Sequence, residues 1–283
     1  MTAPLLFCFG YGFSARALAA QLEGAGWRIA GTSRSGGTAP DGRKILAFDG
    51  GAPNPEISEA LSEAAAVLAS IPPGEAGDPA LLHHGADIAA SQTIGWIGYL
   101  STTAVYGDHG GDWVDEASEL RPRSARGDRR VAAERAWQSL RNGAAPVHVF
   151  RPSGIYGPGR SAFDAIAAGR ARRLDKPGQL FNRIHVDDIA GALAASLAKP
   201  EPGAVYNLAD DLPAASAEVI AHACALIGQE PPPLIPFEQA ELSEMARSFY
   251  GESKKVSNQA LKQRLGYDLK YPTYREGLAA LAP

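Results

Sequence analysis

The sequence is poor in cysteine and in long apolar runs, and each shortage excludes a class of protein. Only two cysteines, Cys8 and Cys224, occur among 283 residues, far apart and without partners at metal-ligand spacing. A disulfide framework and a zinc site are therefore not indicated, and we expect no metal and a reducing, cytoplasmic location. No run approaches the ~18 apolar residues that a membrane helix requires, so we expect no membrane partner.

Positive charge is also in short supply. The formal net charge is −4, whereas a protein that holds nucleic acid by general electrostatics needs a basic surface. Hydrophobic residues make up 45% and charged residues 20% of the chain, as in ordinary soluble globular proteins. We therefore expect a small-molecule partner and no nucleic acid, while the oligomeric state stays open.

The first half of the chain alternates short apolar runs with Ala-rich stretches of helical length, which is typical of βαβ units around a parallel sheet. The predicted strands are Leu5–Phe9, Arg28–Ser33, Lys44–Phe48, Ala66–Ser70, Gly95–Ser101 and Val147–Arg151. The predicted helices between them are Ser14–Glu23, Pro79–Ser91 and Arg126–Leu140. The pattern favours an α/β fold with a Rossmann-type, doubly wound parallel sheet.

After Arg151 the alternation loosens into a Gly- and Pro-rich loop, a helical stretch at Asp187–Leu197, a strand at Ala204–Leu208 and a helix at Ala215–Ile227. We predict a dinucleotide-binding domain over residues 1–152, completed by parts of 183–210. Residues 153–283 would then form mainly a smaller, substrate-binding C-terminal region.

A glycine-rich turn follows the first strand directly and opens the first helix. Its sequence, Gly10-Tyr11-Gly12-Phe13-Ser14-Ala15, fits the G-x-G-x-x-G/A pattern. In that pattern the first glycine permits the tight turn, the second lets the backbone approach a pyrophosphate, and the helix N-terminus offers N–H groups to the anion. We predict that Gly10, Gly12, Phe13 and Ser14 bind a dinucleotide; a turn without a ligand is the alternative.

The end of the second strand lacks the carboxylate that usually accepts hydrogen bonds from the ribose of NAD. It reads Thr32-Ser33-Arg34-Ser35. Arg34 and Ser33 are suited to hold a 2′-phosphate by charge-assisted hydrogen bonds, so we predict NADP, with NAD as the alternative cofactor. A solvated turn arginine is the other interpretation of Arg34. Asp49, after the third strand, is either an acceptor for the adenine amino group or a turn-forming residue.

Three further segments accompany the glycine loop. They are Leu100-Ser101-Thr102-Thr103-Ala104-Val105-Tyr106-Gly107, Arg151-Pro152-Ser153-Gly154-Ile155-Tyr156-Gly157-Pro158-Gly159 and Arg183-Ile184-His185-Val186-Asp187-Asp188-Ile189-Ala190. With them, nearly the whole chain resembles the extended short-chain dehydrogenase/reductase family, which includes nucleotide-sugar epimerases and dehydratases. The resemblance implies that Tyr156 and His185 border the substrate, and we expect Ser70 and Pro152 to contact the cofactor.

The catalytic residues of that family are only partly present. Thr102 matches the Ser or Thr that polarises a carbonyl, but Arg126 and Arg130 stand where the resemblance places the Tyr and Lys of its Tyr-x-x-x-Lys pair. No shift of alignment restores the pair, since residues 107–155 contain no tyrosine and residues 45–175 no lysine. Arginine stays protonated, so Arg126 and Arg130 are predicted to bind an anionic substrate rather than to transfer protons. A solvated helix face balanced by Asp128 and Glu134 is the alternative.

Two other tyrosines are candidates for the missing acid. Tyr106, four residues after Thr102, would lie at the edge of the cleft, where packing beneath the nicotinamide or substrate is the alternative role. A second Tyr-x-x-x-Lys match, Tyr250 to Lys254, lies in the C-terminal region. We treat it as a chance match in which Lys254 begins a helix through Leu265, although a tail folded over the cleft would bring Tyr250 to the site.

Two functions follow from these residues. The first is an NADP-dependent reductase or epimerase of divergent type, acting on a small substrate that is anionic or nucleotide-sugar-like. The second is a catalytically inactive NADP-binding module that regulates an interaction, which the loss of both Tyr and Lys favours. The substrate and the proton donor cannot be read from the sequence.

Overall fold

Fourteen strands and ten helices are assigned in the computed structural model, which describes residues 3–140 and 145–283. The strands are β1 Leu5–Phe9, β2 Arg28–Ser33, β3 Gly37–Thr38, β4 Lys44–Ala47, β5 Ala64–Ala69, β6 Trp96–Leu100, β7 Trp113–Val114, β8 Val147–Pro152, β9 Gly154–Tyr156, β10 Arg173–Asp175, β11 Arg183–His185, β12 Val205–Leu208, β13 Leu234–Pro236 and β14 Lys255–Val256. The helices are α1 Phe13–Glu23, α2 Pro55–Glu63, α3 Pro79–Ala90, α4 Ala125–Ser139, α5 Ala162–Ala167, α6 Val186–Ala198, α7 Ser216–Leu226, α8 Glu244–Phe249, α9 Gln259–Gln263 and α10 Tyr274–Leu281.

Eight strands form one sheet in the order β12-β8-β6-β5-β1-β2-β4-β3. Every pairing in it is parallel except that of the short β3 with β4. From β1 the chain adds β2, β3 and β4 on one side of the sheet. It then crosses back over β1 and adds β5, β6, β8 and β12 on the other side. This reversal between β1 and β5 is the switch point at which doubly wound folds bind ligands, and it confirms the predicted fold class.

Alternate side chains of β1 pack into two separate hydrophobic cores. Leu6 and Cys8 pack with apolar residues of α1 and α6 on one face. Phe7 and Phe9 pack with α2, α3 and α4 on the other face. Because both faces of the sheet are covered, its strands are apolar on both sides, as parallel strands generally are.

Side-chain caps and prolines define where α2 and α3 begin. Asn54 and Asp78 cap α2 and α3 with their side chains, and each of these helices has proline in its first turn, where no N–H partner is lost. The sequence reading missed α2 because its nine residues carry only two buried positions, Ile57 and Leu61.

The predicted strands and helices of the first half are confirmed, but the helix predicted from Lys254 is wrong. Lys255–Val256 form β14, which pairs with Trp113–Val114, and the next helix spans only Gln259–Gln263. No helix among residues 3–140 and 145–283 is both long and apolar enough to cross a membrane.

Candidate functional site

The glycine loop lies at the carboxyl end of β1, where the two glycines meet different constraints. Gly10 has φ +88°, and a Cβ there would lie 2.8 Å from Ser70 Oγ. The Gly10 amide donates to Thr32 Oγ1 at 2.9 Å, which fixes the loop against β2. A Cβ on Gly12 would meet no described atom within 4 Å. The backbone at Gly12 therefore faces open space, whereas Gly10 is required by the turn itself.

The first turn of α1 opens on this space. Its N-cap is Gly12, and no described side chain caps it. The leading N–H groups of a helix lack intrahelical acceptors and carry partial positive charge, so the turn is suited to an anionic group. Ser70 closes the loop from the β5 side by donating its hydroxyl to Gly10 O at 2.8 Å.

A cleft of about 1330 Å³ runs from this loop across the carboxyl ends of the neighbouring strands. It brings together most of the residues predicted for the site. Those that line it are Gly12, Phe13, Ser14, Ser70, Thr102, Arg126, Arg130, Pro152 and Tyr156. Single ligand pockets commonly enclose ~300–1,000 Å³, so the cleft has room for a dinucleotide and a small substrate. A second cavity, of about 890 Å³ near Trp113 and Arg264, contains none of the predicted residues.

The residues expected to select NADP lie at the end of β2, outside this cleft lining. Thr32 is buried and engaged by the Gly10 amide, and Ser33 donates its hydroxyl to Gly36 O at 3.3 Å. Arg34 is exposed and makes no hydrogen bond or ion pair to the described residues. Asp49 accepts from the Gly51 amide at 2.9 Å and so has the turn-forming role; its adenine contact stays a prediction.

Thr102 lies where β6 ends and a short 3₁₀ turn, Thr103–Tyr106, begins. It is half-buried in the cleft and its hydroxyl oxygen accepts from the Ala104 amide at 3.2 Å, which leaves the hydroxyl proton to donate. Ser101 beside it also lines the cleft, and its Oγ is buried with no partner among the described residues. In the sequence, Ser101 belongs to the motif of residues 100–107, but it was not among the predicted site residues.

The position of Tyr106 corrects the sequence-based expectation of an acid at the edge of the cleft. Its side chain is 0% exposed and does not line the cleft. Its hydroxyl donates to Asn207 Oδ1 at 2.7 Å and accepts from Arg151 Nη1 at 2.9 Å, and burial raises its pKa to about 12. A hydroxyl bonded in this way within the core is not presented to the cleft.

Arg126 and Arg130 both lie at the start of α4 and line the cleft, with different surroundings. Arg126 is exposed and makes no ion pair to the described residues. Arg130 is only 8% exposed, and its Nη1 donates to Tyr99 Oη at 3.0 Å and to Leu100 O at 2.9 Å. No described carboxylate lies within ion-pair distance of Arg130, so its charge faces the cleft without a fixed partner.

Tyr156 and His185 touch each other edge to face, with ring centroids 5.1 Å apart, but only Tyr156 lines the cleft. His185 is 2% exposed and caps α6, its Nδ1 accepting from the Asp187 amide at 3.1 Å. This bond fixes the start of α6, and the side chain does not line the cleft, which corrects the expectation that His185 borders the substrate. Burial lowers the pKa of His185, so the neutral ring that accepts this bond is favoured.

The C-terminal segment that holds the second Tyr-x-x-x-Lys match does fold against the cleft. Tyr250, Gly251, Glu252 and Lys254 line it, as in the alternative in which the tail folds over the cleft. Lys254 donates to Gly107 O at 2.7 Å and to Glu252 Oε2 at 2.9 Å, which anchors the segment to the turn after β6. Only the tertiary fold identifies these residues, because they are far from the motifs in sequence.

Arg160 and Arg183 are two further cleft residues that sequence reasoning did not assign. The Arg160 guanidinium lies 5.8 Å from the centre of the Phe13 ring, beside the first turn of α1. Arg183 begins one of the quoted motifs, and this was the one available signal for its place in the site.

Comparison with known proteins agrees with this geometry. Residues 86–209 match the model of the NAD dependent epimerase/dehydratase family. A functionally unknown conserved protein from Silicibacter pomeroyi DSS is 49% identical, with a TM-score of 0.87 over 99% of this chain and 98% of that one. Protein YeeZ of Escherichia coli K12 is 27% identical over 280 residues, 93% of this chain and 94% of its own length. The human epimerase family protein SDR39U1, solved with NADPH, is 20% identical, with a TM-score of 0.74 over 99% of each chain.

Residues 86–209 are thus similar to the NAD dependent epimerase/dehydratase family, within a doubly wound sheet that carries the glycine loop. Over nearly its full length, the chain is similar to a protein of unknown function at 49% identity.

Proposed function

We propose that this protein binds NADP in the cleft at the β1–β5 switch point and acts as a divergent reductase or epimerase on a small substrate that is anionic or nucleotide-sugar-like. The observation that carries the cofactor assignment is the open space over Gly12, next to the uncapped first turn of α1. A dinucleotide pyrophosphate needs both features, and the volume of the cleft leaves room for a second ligand.

The preference for NADP rests on Arg34. Its exposed guanidinium has no partner among the described residues, and the neighbouring polar groups of β2 are occupied by the protein's own backbone. A free guanidinium forms strong bidentate hydrogen bonds with a phosphate, whereas ribose hydroxyls favour a carboxylate acceptor.

Bound NADPH supplies hydride chemistry, and the side chains of the cleft orient the substrate. Thr102 has a hydroxyl proton available to donate to a carbonyl oxygen. Arg130, held by Tyr99 and Leu100, presents a fixed positive charge in the same cleft as Thr102, and Arg126 adds an exposed one. Together they attract and orient an anionic group.

We further propose that residues 1–152, completed by parts of 183–210, form the cofactor-binding domain, and that 153–283 form mainly the substrate-binding region. The pairing of β12 with β8, and the packing of α6 with α1 in one core, support this division.

Calorimetric titration with NADP and NAD tests the cofactor assignment. We expect NADP to bind more tightly than NAD, and Arg34→Glu to weaken NADP binding by about tenfold or more while leaving NAD binding intact, since tenfold corresponds to about 1.4 kcal/mol. Arg135→Glu is the matched control, because Arg135 is also exposed, on α4, and does not line the cleft. Absence of uptake of both nucleotides would contradict the proposal.

A catalytically inactive NADP-binding module is the second candidate function. The observation that favours it is the position of Arg126 and Arg130 on α4, where the family resemblance places the proton-transferring Tyr and Lys. In that case NADP occupancy would control an interaction with another protein.

Absorbance of NADPH, followed with a panel of sugar nucleotides, aldehydes and ketones, separates the two candidates. Turnover by the native protein that is lost in Thr102→Val supports the enzyme. Turnover seen only after the double change Arg126→Tyr and Arg130→Lys supports the inactive module.

A further inference from the structure

Arg183 is held rigidly in the cleft by backbone atoms alone. Its Nη1 donates to Phe181 O at 2.9 Å and to Ala214 O at 3.0 Å, two residues that pair with each other in an antiparallel bridge. Neither acceptor carries a charge, and no described carboxylate lies within 4.0 Å of the guanidinium. The two bonds therefore fix the orientation of the group without neutralising it.

The opposite edge of the same guanidinium is unused. Nε and Nη2 make no hydrogen bond to the described residues. Neither nitrogen is fully buried, so both remain accessible to solvent. Since Arg183 lines the cleft, this edge has access to it. Two parallel N–H groups in one plane are the arrangement that pairs with both oxygens of a carboxylate or phosphate.

Among the described residues, no carboxylate forms an ion pair with Arg183. Burial lowers the pKa of Arg183, as expected for a cation removed from water. Asp210 is the nearby carboxyl, but burial raises its pKa to about 7, so near neutral pH it supplies only part of a charge. A cation in this setting is stabilised when a ligand brings the missing anion.

A second feature points the same way. Helix α7 begins at Ser216, which lines the cleft, and its N-cap is Ala215, so no side chain caps its first turn. Arg183 is bonded to the residue just before this cap, Ala214. Tyr250 lines the cleft here as well, and its side chain is hydrogen-bonded to that of Ser216. Burial raises the pKa of Tyr250. A guanidinium edge, an open helix N-terminus and two hydroxyls thus converge.

The charge of the whole cleft agrees with an anionic occupant. Six cationic side chains line it against one carboxylate, Glu252, among the described residues. The cations are Arg123, Arg126, Arg130, Arg160, Arg183 and Lys254. Two of them are already paired, Arg123 with Asp108 and Lys254 with Glu252. The other four are guanidinium groups that form no ion pair with a carboxylate within the described part of the chain, although the net charge of the sequence is −4.

We propose that Arg183, through its Nε–Nη2 edge, together with the N-terminus of α7 and the hydroxyls of Ser216 and Tyr250, binds an oxyanion group of the substrate, either a carboxylate or a phosphate. This subsite is separate from the pyrophosphate position at Gly12 and α1. It rests on the proposed function in that it gives the substrate end of the same cleft its specificity.

The experiment is an anion titration of the protein saturated with NADP, which blocks the pyrophosphate position. Inorganic phosphate and, separately, acetate are added while the unfolding temperature and the heat of binding are followed. We expect at least one anion to bind and raise the unfolding temperature, and Arg183→Gln to weaken that binding at least tenfold. A response to phosphate alone or to acetate alone identifies the class of oxyanion.

Arg173→Gln is the matched control. Arg173 also donates to two backbone carbonyls, Ala217 O and Pro232 O, but lies outside the cleft lining. Arg183→Lys keeps the charge without the planar edge and serves if the Gln variant does not fold; it should lose most of the anion response. An equal response in Arg183→Gln and the native protein, or no response of the native protein to either anion, would overturn the subsite.

NADP titration of the same variants keeps this test separate from that of the proposed function. Arg183→Gln and Arg173→Gln should bind NADP as the native protein does. If no variant and no native protein takes up NADP, the cofactor proposal fails, while an anion response of the free protein that depends on Arg183 would still support the subsite.

Discussion

At the scale of single residues, Gly10 and Gly12 show how neighbouring glycines in one loop serve different ends. Gly10 has a positive φ and leaves no room for a Cβ beside Ser70, so the folded turn itself requires glycine there. Gly12 has an ordinary φ of −93° and open space above it, which is a matter of binding.

The two glycines therefore respond differently to substitution by alanine. Gly12→Ala should keep its unfolding free energy within about 0.5 kcal/mol of the native value, yet weaken NADP binding by about tenfold or more, because the added methyl group occupies the approach path of the pyrophosphate. Gly10→Ala should lose about 1–3 kcal/mol of stability through backbone strain and contact with Ser70. Urea unfolding and calorimetry measure both; equal losses of stability would contradict the distinction.

Asp210 gives a pH dependence of stability with a definite sign. It is 2% exposed, its Oδ2 has no described partner, and burial raises its pKa from 3.8 to about 7. Between these values the folded state holds a proton that the unfolded state has released, so raising the pH destabilises the fold. The contribution is fully present below pH 3.8 and is lost as the pH rises through about 7.

Asp210→Asn should remove this dependence, because the amide carries no charge at any pH. The unfolding free energy of the variant relative to the native protein should rise with pH, by at most about 1.4 kcal/mol per unit, and level off above about pH 7. Urea unfolding at pH 4.5, 5.5, 6.5 and 8 checks the trend. A difference that is constant across the series would show that Asp210 does not change protonation on folding.

At the scale of elements, packing of α6 against the C-terminal part of the chain overrides helix propensity. Gly191 lies in the middle of α6, and a Cβ there would lie 2.1 Å from Tyr267 Oη. Tyr267 in turn donates to Asp188 Oδ1 at 3.0 Å, so its ring is not free to move away without losing this bond. The glycine is thus required by the neighbouring element.

Gly191→Ala should consequently destabilise the protein by about 1–3 kcal/mol, although alanine is the better helix former. Gly85→Ala in α3 is the control: its Cβ would meet Leu81 only at 3.9 Å, so the change should stabilise by up to about 1 kcal/mol. Thermal and urea unfolding of the two variants compare them directly. Stabilisation by both substitutions would show that Tyr267 yields at little cost.

At the scale of the whole molecule, charge is distributed unevenly. The chain is acidic overall, yet the described lining of the cleft is strongly cationic. A concave surface of one sign concentrates ligands of the opposite sign, and this effect is screened by salt.

Binding of NADP should therefore weaken as NaCl rises from 50 mM to 500 mM, by several-fold or more, because the screening length falls from above 10 Å to a few ångströms. Adenosine carries no charge and shares only part of the site, so its binding should change far less. Fluorescence or calorimetric titration at the two salt concentrations tests this. Equal salt dependence for both ligands would show that the cationic lining does not act on the cofactor.

The sequence by itself determined the parallel sheet, the glycine loop and the ends of the main strands, because hydrophobic periodicity and turn residues are local signals. It also determined that residues 107–155 supply no tyrosine and that Arg126 and Arg130 stand on α4 in the expected place.

Only the tertiary structure decided that Tyr106 is a core residue, that the segment from Tyr250 to Lys254 reaches the cleft, and that Arg183 faces it with an unpaired edge. Each depends on contacts between residues distant in sequence. The local sequence pattern does not predict whether a hydroxyl or guanidinium group is hydrogen-bonded within the protein or remains available to a ligand.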